Sequence, residues 1–328
     1  MKFRAYPWLA ALMAVALLPV CLLAKEPARS TTRPAGPATR NADDTQFLRF
    51  VDDKKGGGKL EAALVTYRNV DGVTVHLVSA LHVGEHDYYK GLNDTFEKYD
   101  AVLYEMIKPK GAPPPEPGQT SHSAISSFQR FLKDTLALDF QLDDIDYSAD
   151  NFVHADLDAE TFLSMQKERG ESILGIMLKS MMREMAKQAE GNGRNAPEIG
   201  LIDLLVAMKA PDRPRQLKLL LARQFNDIED QMAGMDGPNG SVIITERNKK
   251  CMEVLKQTMA GGKNKDIGIF YGAGHMHDME QRLEDMGFKK TAAEWRVGWD
   301  MTAPATPATR PATRPARPVA VPKEAAEQ

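Results

Sequence analysis

The chain has 328 residues, with 42 Lys and Arg against 45 Asp and Glu and 43% hydrophobic side chains, enough to bury a full core. Ten of the basic and three of the acidic residues fall outside residues 41–301, leaving 32 basic against 42 acidic and a net charge of about −10 on that stretch, which argues against nucleic acid as a partner. Cys21 and Cys251 are the two cysteines, so removal of the first 24 residues leaves no pair for an intrachain disulfide.

Residues 1–24 begin with Lys2 and Arg4, continue through an apolar run from Trp8 to Leu18 and end on the small residue Ala24. That is the pattern of an export signal, placing the mature protein in the periplasm, the cell envelope or outside the cell. Pro19 makes the run short for a full membrane span, so a membrane partner enters only if the signal stays uncleaved. Residues 25–40 and the tail 302–328 are rich in Pro, Ala, Thr and Arg and read as solvated linkers. The folded part is therefore expected at 41–301.

Within it, Phe47–Val51 and Leu60–Arg68 read as strands of a meander joined by the Gly56–Gly58 turn, leading through Asp71-Gly72 into a third strand that starts at Val73. Tyr88, Leu92, Phe96 and Tyr99 fall at helical spacing over 87–99, and Ala101–Ile107 is again a short apolar strand. A strand, helix and strand in that order make a right-handed parallel unit. Lys108–Ser121 reads as a loop. Residues of about 123–235 read as a helical insertion with little strand signal and many methionines, including Met165, Met177, Met181, Met182, Met185, Met208, Met232 and Met235. One helix face there runs from Leu217 to Met232. Methionines so placed fill a helical core or form a pliable lip for an apolar segment of substrate. A helix from Thr245, with Thr245 as its N-cap and Gly261-Gly262 as its stop, precedes the strand Ile267–Tyr271, a helix through Met286 and a last strand near 294–299. The expected fold is α/β, a central mixed sheet built from both ends of the core around a helical insertion.

Three strand ends carry metal-capable side chains: His82 after the third strand, Glu105 at the end of Ala101–Ile107 and His275 after Gly272-Ala273-Gly274. The carboxyl ends of strands are where open α/β sheets gather their working groups. Two imidazoles and a carboxylate leave a divalent metal open positions for water and substrate, and suit manganese, cobalt, iron or zinc alike. Arg247 is a candidate for stabilising negative charge on a substrate or oxyanion. His154 and Asp156, before a helix that Asp158 can cap, form a structural turn or else add a ligand, orient a histidine or supply proton transfer.

SALH with its following helix, Glu105 in LYEMI, TERN, and FYGAGH before a helix resemble the ordered motifs of the TraB/PrgY/GumN family, which includes the TIKI metalloproteases. The resemblance covers most of 60–300. It implies a core similar to erythromycin esterase and ChaN, two GxxH motifs with histidines at His82 and His275, the acid at Glu105, the arginine at Arg247 and, for the TIKI members, peptide hydrolysis with manganese or cobalt. Ser79 stands where the family's first motif has Gly, and a side chain there either crowds the metal or offers it a hydroxyl. The expected function is an exported metal-dependent hydrolase of peptide or other amide or ester bonds. The alternative, which Ser79 favours, is an envelope protein that sequesters a peptide signal or haem without turning it over.

Overall fold

The computed structural model describes residues 45–113, 133–171, 201–223, 225 and 240–303. The expected signal at 1–24, the linker at 25–40, nearly all of the tail, the Met177–Met185 and Met232–Met235 groups and the end of the Leu217–Met232 face lie outside them. In chain order the elements are β1 (Leu48–Asp52), β2 (Gly58–Arg68), β3 (Thr74–Ala80), β4 (Val83–Gly84), α1 (His86–Phe96), β5 (Ala101–Tyr104) and β6 (Asp139–Phe140). There follow α2 (Gln141–Asp144), β7 (Phe152–His154), α3 (Ala159–Arg169), α4 (Leu201–Lys209), α5 (Arg213–Ala222) and a π turn at Val242–Glu246. The chain continues through α6 (Arg247–Ala260), β8 (Asp266–Gly272), a 3-10 turn at Ala273–His275, α7 (Met276–Asp285) and β9 (Lys289–Asp300).

The fold is α/β, with a seven-stranded mixed sheet. Its path is β1-β2-β3-β8-β5-β7, with β9 added on β2. β1, β3 and β9 pair antiparallel with β2, whereas β3·β8, β8·β5 and β5·β7 are parallel. Because β9 faces β2 from Lys59 to Arg68, β1 and β3 divide the other edge of β2 between them, β1 opposite Gly58–Ala62 and β3 opposite Leu64–Arg68. This departs from the expected meander, in which β2 would lie between its two neighbours. The same continuous partner explains why the last strand starts at Lys289, well before the expected 294.

Alternation of side chains sends the strands' apolar residues to both faces. Leu60, Ala62, Leu64, Val78 and Phe270 pack with Tyr89, Leu92 and Phe96 of α1 and with Leu217 and Leu219 of α5. Val65, Tyr67, Val75, Leu77, Ile267 and Ile269 pack instead with Cys251, Met252 and Leu255 of α6 and with Met276, Met279 and Leu283 of α7. Helices thus cover both faces, as parallel strands require.

Four local expectations change. The helix placed at 87–99 ends at Phe96, since Lys98 N and Tyr99 N donate back to Thr95 O and Phe96 O in tight turns. The strand placed at 101–107 ends at Tyr104, the last residue in register with β8; Glu105 beyond it still donates its N–H to Phe270 O and turns its carboxylate onto the Gly272 N–H. The supposedly strand-poor middle contributes β6 and β7, the latter paired to the free edge of β5. Three-residue strands are too short to leave a period in the sequence. Finally, Thr245 does not cap an α-helix. Residues 242–246 wind as a π turn in which Ser241 Oγ accepts from Ile244 N, and α6 begins only at Arg247. Asp158 does cap α3, accepting from Thr161 N at 2.9 Å, and α6 stops before Gly261, with Gly262 at φ 65°.

At the amino end of the parallel strands, Tyr99 lies on the sheet, stacked 4.5 Å from His76 at 11°. Gly268 makes room for it: a Cβ there would meet Tyr99 Cδ2 at 2.7 Å. Gly268→Ala is expected to cost about 1–3 kcal/mol through overpacking, read as a lowered midpoint in urea. Nearby, Asp100 Oδ2 accepts from Lys265 N at 2.7 Å and Asp266 N at 2.9 Å, which holds its pKa below the ordinary carboxylate value. Its contribution to stability is therefore complete above about pH 3.9, the unfolded value, and is lost as pH falls through the lower folded value. Asp100→Asn should flatten that part of an acid titration of stability followed by circular dichroism.

Candidate functional site

Parallel pairing puts the carboxyl ends of β3, β8, β5 and β7 on one rim, with Ala80 opposite Gly272 and Tyr104 opposite both Phe270 and His154. His82, His275 and Glu105 leave this rim from β3, β8 and β5. They meet around Gly272, where a Cβ would lie 3.4 Å from both His82 Nε2 and Glu105 Oε2 and 3.9 Å from His275 Cδ2. A Cβ at 272 would stand in van der Waals contact with all three, so position 272 is the point they share.

Glu105 Oε2 accepts from Gly272 N at 2.7 Å, and Oε1 accepts from Arg247 Nη2 at 2.8 Å and lies 3.5 Å from His275 Nε2. Burial alone would raise its pKa, but the Arg247 charge, followed by His275, outweighs this and holds the carboxyl well below the usual range. His82 shifts the other way for an imidazole. Its burial favours the neutral ring and lowers its pKa despite the nearby Glu105 charge.

Arg247, 2% exposed at the first turn of α6, is the hub. Its Nε donates to Asp156 Oδ1 at 2.9 Å and its Nη2 to Asp156 Oδ2 at 2.5 Å, a two-point clasp, while Nη1 stands 3.4 Å from His275 Nε2. Asp156 Oδ1 also accepts from Leu157 N. The π turn at Val242–Glu246 immediately precedes α6 and so stands behind this placement; such turns recur at working sites.

The sequence-predicted residues thus divide. His82, Glu105, His275, Arg247 and Asp156 form one cluster, in which Asp156, Arg247 and His275 are buried and His82 and Glu105 half-buried. His154 does not join it: its Nε2 donates to Met106 O at 2.6 Å. Asp156 orients an arginine and not a histidine. Asn248, Gln141 and Tyr147 complete the surroundings, and only Asn248 had a signal, as the neighbour of Arg247. His275 Nδ1 donates to Asn248 Oδ1 at 2.7 Å, and His82 Nδ1 lies 3.1 Å from Gln141 Oε1. Ser79 is buried on β3 beside Tyr271 of β8, and its Oγ has no hydrogen-bond partner among the described residues.

Two imidazoles and an ionised carboxylate around an open backbone position suit a divalent transition metal by donor chemistry. A tighter trio among the described residues lies elsewhere: single ligand atoms of His86, Asp139 and Asp144 are all within 4.8 Å of one another. It is a surface group in which Lys133 already neutralises Asp139 at 2.6 Å and His86 Nδ1 pairs with Asp144 at 3.1 Å. Comparison of the chain with protein-family models, with curated proteins and with solved structures finds no match.

Removing the guanidinium would leave Asp156 and Glu105 buried without a counter-charge. Arg247→Met is expected to destabilise the fold by about 3–5 kcal/mol, measured by urea denaturation. Adding Asp156→Asn should recover part of that loss.

Proposed function

We propose that this chain is an exported metal-dependent hydrolase acting on peptide or other amide or ester bonds, of the TraB/GumN type and with an erythromycin esterase/ChaN-like core. The observation that carries the reading is the meeting of His82, His275 and an ionised Glu105 around Gly272, at the carboxyl rim of parallel strands. A bound manganese, cobalt, iron or zinc ion would supply Lewis acidity and a water of lowered pKa.

The residues have separable parts in this reading. His82 Nε2, His275 Nε2 and Glu105 would hold the ion. Arg247 keeps Glu105 charged, and its Nη1, which lies 3.4 Å from His275 Nε2, would turn to negative charge developing on substrate once that nitrogen holds the ion. Glu105 stays ionised at neutral pH, so its carboxylate would share the parts of ligand and base, whereas His82, with Nδ1 protonated and Nε2 turned to the ion, would serve as ligand alone. His154 and Asp156 are engaged by Met106 O and Arg247, which leaves the proton with Glu105. The substrate is a peptide or a small molecule with a scissile carbonyl.

Digestion of a peptide library, read by mass spectrometry with manganese, cobalt or zinc added, tests the proposal against chelated protein and His275→Ala. Cleavage should require the metal and fall by at least about 100-fold in the variant, the order expected for losing one essential group. Folded wild type that retains peptide or haem without metal-dependent cleavage would replace the hydrolase with the sequestering protein, the reading that Ser79 favours.

A further inference from the structure

We infer that Asn248 and Gln141 are positioning residues that hold His275 and His82 in the Nδ1–H tautomer, so that both rings present an unprotonated Nε2 at the rim. The inference deepens the metal-hydrolase reading and rests on it for its purpose, though not for its geometry.

Asn248 is the stricter case. Its Nδ2 donates to His275 O at 3.0 Å and to Asp278 Oδ2 at 2.8 Å, two oxygens with no proton to give. Asp278 is itself fixed by Arg282 Nε at 2.6 Å and Nη2 at 3.0 Å. The amide can therefore turn only its Oδ1 towards the ring, and an amide oxygen only accepts. The proton sits on His275 Nδ1. A neutral ring then has a lone pair at Nε2, where Arg247 Nη1, a pure donor, stands at 3.4 Å and Glu105 Oε1 at 3.5 Å.

Gln141 repeats the arrangement from the other side of the rim. Its Nε2 donates to Tyr147 Oη at 2.8 Å, and its Oε1 faces His82 Nδ1 at 3.1 Å. Its backbone N also donates to His82 O at 3.1 Å, so one residue grips both the main chain and the ring of His82. His82 Nε2 is left facing Gly272. Free neutral histidine in water favours the opposite tautomer, with the proton on Nε2. Both rings are thus held against their solution preference, in the same sense, by amides from α6 and α2 and not from the strands that deliver the histidines. Metal-binding histidines are commonly held in this way by a partner at the other ring nitrogen. A cation could enter here without first moving a proton on either ring.

The test uses the full-length chain labelled with 15N at histidine and long-range proton–nitrogen correlation spectra at about pH 8, above the ordinary histidine pKa, with His82→Ala and His275→Ala assigning the signals. Both rings should show the Nδ1–H pattern before metal is added. Gln141→Leu should release His82 and Asn248→Leu should release His275 to Nε2–H, whereas Gln141→Glu, whose carboxylate accepts at the same place, should keep the wild-type pattern. Zinc titrated alone should bind about 10–100-fold more weakly to the Leu variants and recover with Glu. An Nε2–H signal from either ring in wild type, or unchanged tautomers in the Leu variants, overturns the inference. If Asn248→Leu does not fold, the Leu and Glu variants at Gln141 decide it. Wild type with the expected tautomers but no affinity for zinc, manganese or cobalt would remove the metal reading and leave the tautomer assignment standing.

Discussion

The buried ion cluster of Arg247 with Asp156 and Glu105 is the constraint on which the site depends. Three charged groups lie at the junction of α6, the end of β5 and the segment after β7, where an unpaired charge would be prohibitively costly. The pairing is close to complete: Asp156 receives two donors from the guanidinium, and Glu105 receives one from it and another from Gly272 N. Since breaking any partner leaves the others uncompensated, the cluster fixes how α6 and the carboxyl ends of β5 and β8 stand relative to one another.

The sheet makes that cluster reachable. β8 lies between β3 and β5 although it comes last of the three in sequence, and this insertion brings His275 between His82 and Glu105. The glycine at the end of β8 then matters because it is where the three side chains lean together. Around them, Asn248 and Gln141 come from helices laid against the rim, so strands set position while helices set ring orientation.

The two ends of the molecule differ in what their polar groups do. At the amino end of the parallel strands, His76, held by Asp266 at 2.6 Å and by Thr66 at 3.0 Å, bridges three strands under Tyr99. Its polar contacts serve the sheet. At the carboxyl end the polar groups point at each other across an open position, which is the disposition expected where a ligand enters.

Much of this was legible in the chain. The runs from Val73, at Ala101–Ile107 and at Ile267–Tyr271 are short, apolar and rich in β-formers, so they could be recognised as buried strands, and the side chains at or near their ends as a rim, although the second strand stops three residues earlier, at Tyr104. That Arg247 and Asp156, 91 residues apart, would clasp each other was not legible, because a buried ion pair leaves no periodic trace. Nor was β7, whose three residues pair only because β5 has a free edge, nor the π turn, which looks like the start of an ordinary helix. Gln141 carries no local signal at all. The sequence by itself determined that His82, Glu105 and His275 stand at or just past strand ends, since local hydrophobic patterning acts over a few residues. Only the tertiary structure decided the neighbours, ring orientations and charge states, because those arise from burial and contacts between segments far apart in the chain.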